Sequence, residues 1–253
     1  MSKKITIVMP TFKRNSFIEN EFHPTLNVVN HALIHKLILV WHNIGEQVPE
    51  KVIKNLEKKC NNKFEIVFPQ KNSLNNRFLN LKEIETDCVI SIDDDYTSTE
   101  ASIETMFNHW KKDKESLVGC VPRLIDPDHL TYTGNAAHYE SKVSYNFLLT
   151  GYAMFHKKYL DFYWENGKAI DLIEKKFNAE DIYFNYVHSK YSKSKKMYVH
   201  HDEKVKTWKR LPGNGISSVD SSHLSKRFDM CKFLENDGYK RPDISNNRID
   251  IKG

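Results

Sequence analysis

Four short apolar runs in the first hundred residues, each closed by polar residues or proline, most limit what this chain can fold into. Each run is about as long as a buried β-strand. The segments between them have helical features, and 49–60 and 74–84 space their apolar residues as one helix face. Short strands alternating with helices predict βαβ units around a mostly parallel sheet, so the predicted fold class is α/β. The runs are residues 5–9, 36–41, 64–68 and 88–92.

The rest of the chain continues this pattern with weaker signals. Thr97 and Glu100 form a candidate capping box that would open a helix directly after the fourth run. The remaining predicted elements are a strand at 117–121, a buried apolar run at 147–155, and helices that begin near 178 and 217.

Composition narrows the functional classes. Of 253 residues, 40% are hydrophobic, which is enough for a sizeable core, and no Pro-, Gly- or Ser-rich linker divides the chain. We therefore predict one domain.

The net charge of +5 is too small to indicate nucleic-acid binding and is explained by solvated lysines. No apolar run suits a signal peptide or a membrane span, so the chain as written is predicted to be cytoplasmic and without a membrane anchor.

Three adjacent carboxylates, Asp93, Asp94 and Asp95, directly follow the fourth apolar run. They repel one another, so the cluster costs free energy unless a cation neutralises it. On an extended backbone Asp93 and Asp95 point the same way, and carboxylates at a strand end suit Mn²⁺ or Mg²⁺ that bridges to a diphosphate. Ligands of parallel sheets bind beyond the carboxyl ends of the strands. We interpret the cluster as a metal site; the alternative is an acidic turn before an acidic helix start.

Basic and amide side chains are predicted at the same edge of the sheet. Arg14, Arg77 and Arg123 carry planar guanidinium groups, which suit phosphate. Residues 72–77 are rich in amides at a predicted helix start, which suits an anion or a sugar. The alternatives are ordinary surface cations and an ordinary helix cap.

Other candidate sites are weaker. A second metal site at His200, His201 and Asp202 is not favoured, because neighbouring side chains on an extended segment point to opposite faces. The chain lacks the motifs of P-loop nucleotide hydrolases, dinucleotide oxidoreductases, zincins and α/β-hydrolases, which argues against those classes. The four cysteines are widely spaced and are predicted to be free thiols: Cys60, Cys88, Cys120 and Cys231.

Seven segments resemble, in order, motifs of the exostosin-type glycosyltransferases of glycosyltransferase family 64. The resemblance as a whole covers residues 5 to about 240. Residues 33–45 are similar to "LHKLIVVWNNIG", with His42 in place of an asparagine, and residues 84–95 are similar to "IETDAVLSIDDD". Residues 178–185 resemble "NCEDIAMN". The other matching segments are 9–14, 72–79, 118–123 and 145–151.

This resemblance implies a GT-A fold over residues 1–253, with a nucleotide-sugar-binding half up to about 122 and an acceptor-binding, catalytic half from about 123. It implies a metal-dependent, retaining transfer of a sugar from a UDP-sugar to a glycan acceptor. The implied sugar is N-acetylglucosamine or N-acetylgalactosamine. Whether the chain forms a homodimer is left open.

The resemblance also implies roles for single residues. Asp181 matches the family's catalytic aspartate, and Arg227 matches an arginine near the diphosphate. Asp95 would bind Mn²⁺ or Mg²⁺. The residues that match nucleotide-sugar positions are Arg14, Asn43, Asn72, Arg77, Asp93, Asp94 and Arg123.

The chain departs from the family pattern at several places. Ala179 replaces the cysteine of "NCEDI", so the resemblance implies that the usual disulfide partner near Cys231 is absent. Family members are commonly anchored in the Golgi by a transmembrane segment, whereas no such segment is expected in the sequence as given. Residues 124–146 and 189–216 differ most, so the acceptor is not carried over.

Two other functions are weighed against transfer. A nucleotidylyltransferase also combines a Rossmann-like half with an aspartate-bound metal, but it would usually show a glycine-rich loop where this chain has residues 11–14. A silent binding module of the same fold would keep UDP-sugar or glycan binding without transfer. Retention of both Asp95 and Asp181 favours the enzyme.

Overall fold

A mixed sheet of eight strands forms the centre of the part of the chain that the computed structural model describes: residues 4–133, 144–202, 220–243 and, for the backbone alone, 248–250. Two further pairs of very short strands lie beside it. In chain order the strands are β1 (Ile5–Thr11), β2 (Ile34–Trp41), β3 (Phe64–Val67), β4 (Cys88–Ile92), β5 (Leu117–Gly119), β6 (Pro122–Arg123), β7 (Ile125–Asp126), β8 (Thr131–Tyr132), β9 (Phe147–Leu148), β10 (Tyr152–His156), β11 (Met197–His201) and β12 (Arg248–Asp250).

Helices cover both faces of this sheet. A short 3-10 helix, Leu74–Phe78, precedes β4. The α-helices are α1 (Asn15–Ile18), α2 (Pro24–Val28), α3 (Glu50–Cys60), α4 (Glu100–Lys112), α5 (Lys158–Tyr163), α6 (Gly167–Lys176), α7 (Glu180–Tyr191) and α8 (His223–Asn236).

The strand order within the described sheet is β12-β11-β5-β10-β4-β1-β2-β3. β1 pairs in parallel with both β2 and β4, and β2 pairs in parallel with β3. β10 runs antiparallel between β4 and β5, whereas β11 is parallel to both of its neighbours. The predicted α/β class, with a mostly parallel sheet flanked by helices and consistent with a GT-A fold, is confirmed. The division into halves near residue 122 stays a prediction.

Alternation along the central strands divides the core between the two faces. Val8 and Val89 point to one face, where they join the cluster of the 3-10 helix, α5 and α7. Ile7 and Ile90 point to the other face, where α3 and α4 cover them. Successive residues of a strand point to opposite faces of the sheet. The residues near the strand ends are therefore also divided between the two faces. This division decides which helices each side chain at the strand ends can reach.

The helix predicted over 74–84 is wrong in extent and type. The structure has only the five-residue 3-10 helix there. The Asn75 side chain donates to Glu174 at 2.9 Å, and the Asn76 side chain donates to a backbone carbonyl of the preceding loop at 2.7 Å. Asparagine side chains that bond elsewhere compete with a regular helix, which explains the short element.

The cap of α4 also differs from the prediction. Thr99, not Thr97, is the N-cap, and its Oγ1 accepts a hydrogen bond from the Ser102 amide at 3.0 Å. Thr97 is two residues too early, because the helix begins at Glu100. The predicted start of the last helix, near 217, lies outside the described residues, and α8 is described from His223.

Asn185 fastens α7 to β9, a strand of the short β6–β9 pair beside the sheet. Its side chain is fully buried, accepts from the Leu148 amide at 2.9 Å and donates to the Leu148 carbonyl at 2.8 Å. The amide group thus takes the place of a neighbouring strand for one residue of β9. The same side chain also donates to the Asp181 carbonyl, one turn earlier in the helix, so it fixes the first turn of α7 relative to β9.

We expect Asn185→Ala to lower the free energy of unfolding by about 2–4 kcal/mol, because it leaves a buried backbone donor and acceptor unpaired. Urea unfolding followed by circular dichroism measures this change. Asn236→Ala, at the exposed end of α8, is the matched control and should stay within about 0.5 kcal/mol of the wild type. Equal losses in both variants would contradict this role of Asn185.

Candidate functional site

The carboxyl ends of β1, β2 and β4 meet at one edge of the sheet. Arg14, after β1, donates from Nη1 to Asp94 Oδ1 at 2.7 Å and lies 3.0 Å from Asp95 Oδ2. Thr11 Oγ1 donates to Asp94 Oδ2 at 2.7 Å. Asn43, after β2, is buried and accepts from a backbone amide of the β1 loop at 2.8 Å. The predicted convergence of these strand ends is therefore observed.

The aspartate triplet does not stay extended. β4 ends at Ile92, and the Tyr96 amide donates to the Asp93 carbonyl at 3.2 Å, which closes a turn. The prediction that an extended backbone aligns Asp93 with Asp95 therefore rests on the wrong geometry. The three carboxylates are separated by their partners: Asp94 and Asp95 contact Arg14, whereas Asp93 contacts Arg77 on the other face.

Burial raises the pKa of two aspartates, Asp94 and Asp95. It raises the pKa of Asp94, although Arg14 and the Thr11 hydroxyl favour the charged form. The pKa of Asp95 rises to about 6, first through burial and then through the negative charge of Asp93, with Arg14 opposing both. Asp95 therefore gains most from an added cation.

The described side chains do not by themselves make up a complete metal site. Within residues 4–133, 144–202 and 220–243, no three His, Cys, Asp or Glu side chains are grouped to hold an ion. The Asp95 carboxyl is 17% exposed, whereas that of Asp94 is 4% exposed and occupied by Thr11 and Arg14. A partly exposed carboxylate such as that of Asp95 would fit a divalent ion whose other ligands come from a phosphate group and water.

Arg77 joins this edge to the second half of the site. From the 3-10 helix, its Nη2 contacts Asp93 Oδ1 at 2.7 Å, and its Nη1 donates to the Thr150 carbonyl at 3.2 Å and to Ser91 Oγ at 3.3 Å. Its Nε lies 3.6 Å from Glu180 Oε1 at the start of α7. One buried guanidinium therefore links β4 with α7.

Gly151 makes room for Asp93. Its carbonyl accepts from the Asp93 amide at 2.8 Å. A Cβ atom built on Gly151 would lie 2.7 Å from Asp93 Oδ2, closer than such contacts occur. Only glycine therefore allows Asp93 to stay against this backbone and reach Arg77.

Asp181 and Arg227 form a buried pair between α7 and α8. Arg227 Nη2 donates directly to Asp181 Oδ2, and its Nη1 donates to Asn178 Oδ1 at 3.3 Å. The other oxygen of Asp181 accepts from the Ile182 amide at 2.8 Å, in the first turn of the helix. Burial opposes the charge on Arg227, but the Asp181 carboxylate raises its pKa above the ordinary value. The two predicted catalytic residues are thus in contact.

Glu180 is a site residue that we did not predict. It is buried beside Asp181, and its pKa is raised to about 7 by burial and by the charge of Asp181, while Arg77 and Arg227 favour ionisation. The sequence carries only a weak signal for it, namely two adjacent acids at a helix start. Its pairing with Arg77 depends on how α7 packs.

Two predicted site residues lie further from the triplet. Arg123, in β6, donates from Nε to the Tyr132 hydroxyl at 3.2 Å and from Nη1 to the Pro122 carbonyl at 2.8 Å. Asn72 is half-buried in the loop before the 3-10 helix, and its described contacts do not join it to the cluster. Tyr132 was not predicted, because only the β7–β8 pairing brings it to Arg123.

The histidine pair of β11 keeps its predicted alternation. His200 is buried and His201 is half-buried at the end of this strand. Asp202 accepts from Thr99 Oγ1 at 3.4 Å. These residues are among those in which no group suited to a metal ion is found.

The sequence profile of the glycosyl transferase family 64 domain matches residues 5–251. The chain belongs to glycosyltransferase family 64. The recognition made from the seven segments is thus confirmed.

Several named proteins are similar to the chain. It is 37% identical over 160 residues to glucosamine inositolphosphorylceramide transferase 1 of Oryza sativa subsp. japonica, and the matched region makes up 62% of this chain and 21% of that protein. It is 29% identical over 241 residues to glycosylinositol phosphorylceramide mannosyl transferase 1 of Arabidopsis thaliana, and the matched region makes up 89% of this chain and 69% of that protein. It is 27% identical over 199 residues to human exostosin-like 2, covering 74% and 57%. The chain therefore spans from about a fifth to about two thirds of these relatives.

Two departures from the family pattern have structural counterparts. Ala179 is the residue before α7 and has a left-handed backbone with φ of 74°. Cys231 is a buried free thiol, and burial raises its pKa to about 12. Much of the most divergent sequence, 134–143 and 203–219, lies outside the described residues. In the parts that are described, no helix has the length and apolar composition that a membrane crossing requires.

We expect the free energy of unfolding to fall between about pH 5 and pH 7 because of Glu180. Its folded-state pKa, about 7, lies above its ordinary 4.5, so the folded protein retains a proton that the unfolded chain has lost. The contribution falls by at most about 1.4 kcal/mol per pH unit for one proton. Glu180→Gln cannot release a proton and should show a flatter dependence on pH, measured by urea unfolding at pH 5, 6 and 7.

Glu57→Gln, on the exposed side of α3, is the control and should keep the wild-type slope. The pKa of Asp95 is also raised, but Asp95 is present in all three proteins and its effect cancels. A Glu180→Gln slope identical to that of the wild type would mean that Glu180 is already ionised at pH 5.

Proposed function

We propose that this chain is a metal-dependent, retaining glycosyltransferase that moves a sugar from a UDP-sugar to a glycan acceptor. The observation that carries the proposal is the continuous set of buried contacts from Asp93 through Arg77 and Glu180 to the Asp181–Arg227 pair. It joins a candidate diphosphate site at the sheet edge to a candidate catalytic carboxylate. A nucleotide-binding module without transfer would not need the second group. Family membership supports the same class of reaction.

The donor nucleotide is proposed to bind along the ends of β1, β2 and β4. Asn43, Asn72 and Arg77 would hold the nucleotide, and Asp93 would face the ribose. Arg14 and Arg123 would face the phosphates or the donor sugar. These assignments combine the resemblance with the positions of the side chains, and a guanidinium near a diphosphate favours the dianionic leaving group.

Asp95 is the residue proposed to hold Mn²⁺ or Mg²⁺. A divalent ion bound there would offset the charge that develops on the departing diphosphate. Asp94 would not bind the ion itself. By accepting hydrogen bonds from Arg14 and Thr11, it would hold the turn in place and leave the Asp95 carboxylate at the surface of the site.

Asp181 is proposed to stabilise the positive charge that develops at the anomeric carbon. A carboxylate does this both in a covalent retaining mechanism and in same-face attack. Arg227 holds one oxygen of Asp181, and the Ile182 amide holds the other, so the carboxylate is oriented before the donor arrives. Such preorganisation avoids reordering during the reaction.

The donor sugar is proposed to be N-acetylglucosamine or N-acetylgalactosamine. The names of similar proteins include a glucosamine and a mannosyl transferase, so the decisive test compares donors. We would measure UDP or GDP release with Mn²⁺ from UDP-N-acetylglucosamine, UDP-N-acetylgalactosamine, UDP-glucose and GDP-mannose. Release from an N-acetylhexosamine donor supports the proposal. UDP binding without release from any donor would favour a silent binding module, and pyrophosphate release from UTP and a sugar phosphate would favour a nucleotidylyltransferase.

Asp181→Asn is expected to lower kcat by about 10³-fold or more while UDP binds within about threefold of the wild-type Kd, because the carboxylate acts on the sugar and not on the nucleotide. Donor turnover and calorimetry with UDP measure the two effects. Asp171→Asn, on the exposed face of α6, is the control and should retain both properties. Full activity of Asp181→Asn would remove Asp181 from catalysis.

UDP is expected to bind at least about 10-fold more tightly with Mn²⁺ than with EDTA, because an ion held by Asp95 would offset the negative charge of the diphosphate. Calorimetry measures this ratio directly. In Asp95→Asn the ratio should fall towards one, whereas Asp171→Asn should keep it. Equal UDP affinity with Mn²⁺ and EDTA in the wild type would exclude Asp95 as a metal ligand for the donor.

A further inference from the structure

Tyr132 contacts two of the arginines that belong to the proposed site. The centre of its ring lies 5.6 Å from Cζ of Arg227 and 5.7 Å from Cζ of Arg123. Its hydroxyl oxygen accepts a hydrogen bond from Arg123 Nε at 3.2 Å. Arg123 comes from β6 and Arg227 from α8, so a single side chain connects two elements that are distant in sequence.

The strand that carries Tyr132 is short and is held from outside. The β7–β8 ladder has only two residue pairs, and such a short ladder is marginal on its own. Arg241 contacts Asp126 in β7 at 3.0 Å, Asp128 in the following turn at 2.8 Å, and Glu235 in α8 at 2.7 Å. These ion pairs tie the hairpin to the helix that carries Arg227.

The ring of Tyr132 contacts both arginines, whereas its hydroxyl contacts Arg123. Arg227 already uses Nη1 on Asn178 and Nη2 on Asp181, and a ring contact supports the guanidinium without competing for these donors. The hydroxyl oxygen, by contrast, accepts a hydrogen bond from Arg123. Removing the hydroxyl and removing the ring should therefore have separable effects.

We propose that Tyr132 is a positioning residue of the transferase, whose ring holds Arg227 against Asp181 and whose hydroxyl holds Arg123 towards the donor. This inference rests on the proposed function, because Arg123 and Asp181 have their roles only in transfer. In this proposal the β7–β8 hairpin, through Tyr132, aligns the Asp181–Arg227 pair with Arg123.

Two variants separate the two contacts. Tyr132→Phe keeps the ring and removes the acceptor of Arg123, so we expect the donor KM and the Kd for UDP to rise about 10-fold with kcat within about twofold of the wild type. Tyr132→Leu removes the ring as well, so kcat should fall at least about 10-fold further, because Arg227 no longer fixes Asp181. A purely structural role would not divide the effects between KM and kcat in this way.

Controls keep the result decisive. Tyr198→Phe, in β11 beside His109, is the matched control and should leave both constants unchanged. Tyr132→Leu with a wild-type kcat, or Tyr132→Phe with unchanged donor KM and UDP Kd, would overturn the inference. If Tyr132→Leu does not fold, the Tyr132→Phe result alone decides. Failure of the proposed function is seen separately, because the wild type itself would then release no nucleotide; UDP calorimetry on Tyr132→Phe still tests the hydroxyl contact.

Discussion

The buried guanidinium of Arg77 is the interaction on which the arrangement of the site depends. Burial alone would lower its pKa, but the carboxylates of Asp93 and Glu180 raise it above the ordinary value, so the group stays charged. A buried cation is strongly destabilising without paired carboxylates. Asp93 and Glu180 must therefore remain beside it, which holds the end of β4 and the start of α7 together. Gly151 permits this, because any Cβ there would collide with Asp93.

The five carboxylates of the site differ in environment, and this division suits different tasks. Asp94 is enclosed by Arg14 and Thr11, whereas Asp95 keeps partial exposure and a raised pKa. On the other side of Arg77, Asp181 is held by Arg227, and its neighbour Glu180 carries the raised pKa. Adjacent acids with different partners allow one to bind or react while the other balances charge.

Local patterns predicted much of the fold. Each of the four apolar runs coincides with most of a strand, and 88–92 matches β4 at both ends, because a buried strand needs a continuous apolar segment. Sequence patterns gave wrong predictions where a side chain bonds to a residue that is distant in the sequence. Asn75 bonds to Glu174 instead of supporting a longer helix, and the turn at Asp94 replaces an extended backbone. Tyr132 left no signal, because its two-residue strand has no periodicity to read.

The sequence by itself determined the α/β class, the family, and the presence of carboxylates and arginines at the strand ends, because these follow from residue order and strand polarity. Only the tertiary structure decided which of these groups meet. Asp93 and Asp94 are neighbours in sequence, yet they contact different arginines, Arg77 and Arg14 respectively. The pairing of Glu180 with Arg77 also depends on packing, because residues about a hundred positions apart come together only when α7 docks on the sheet.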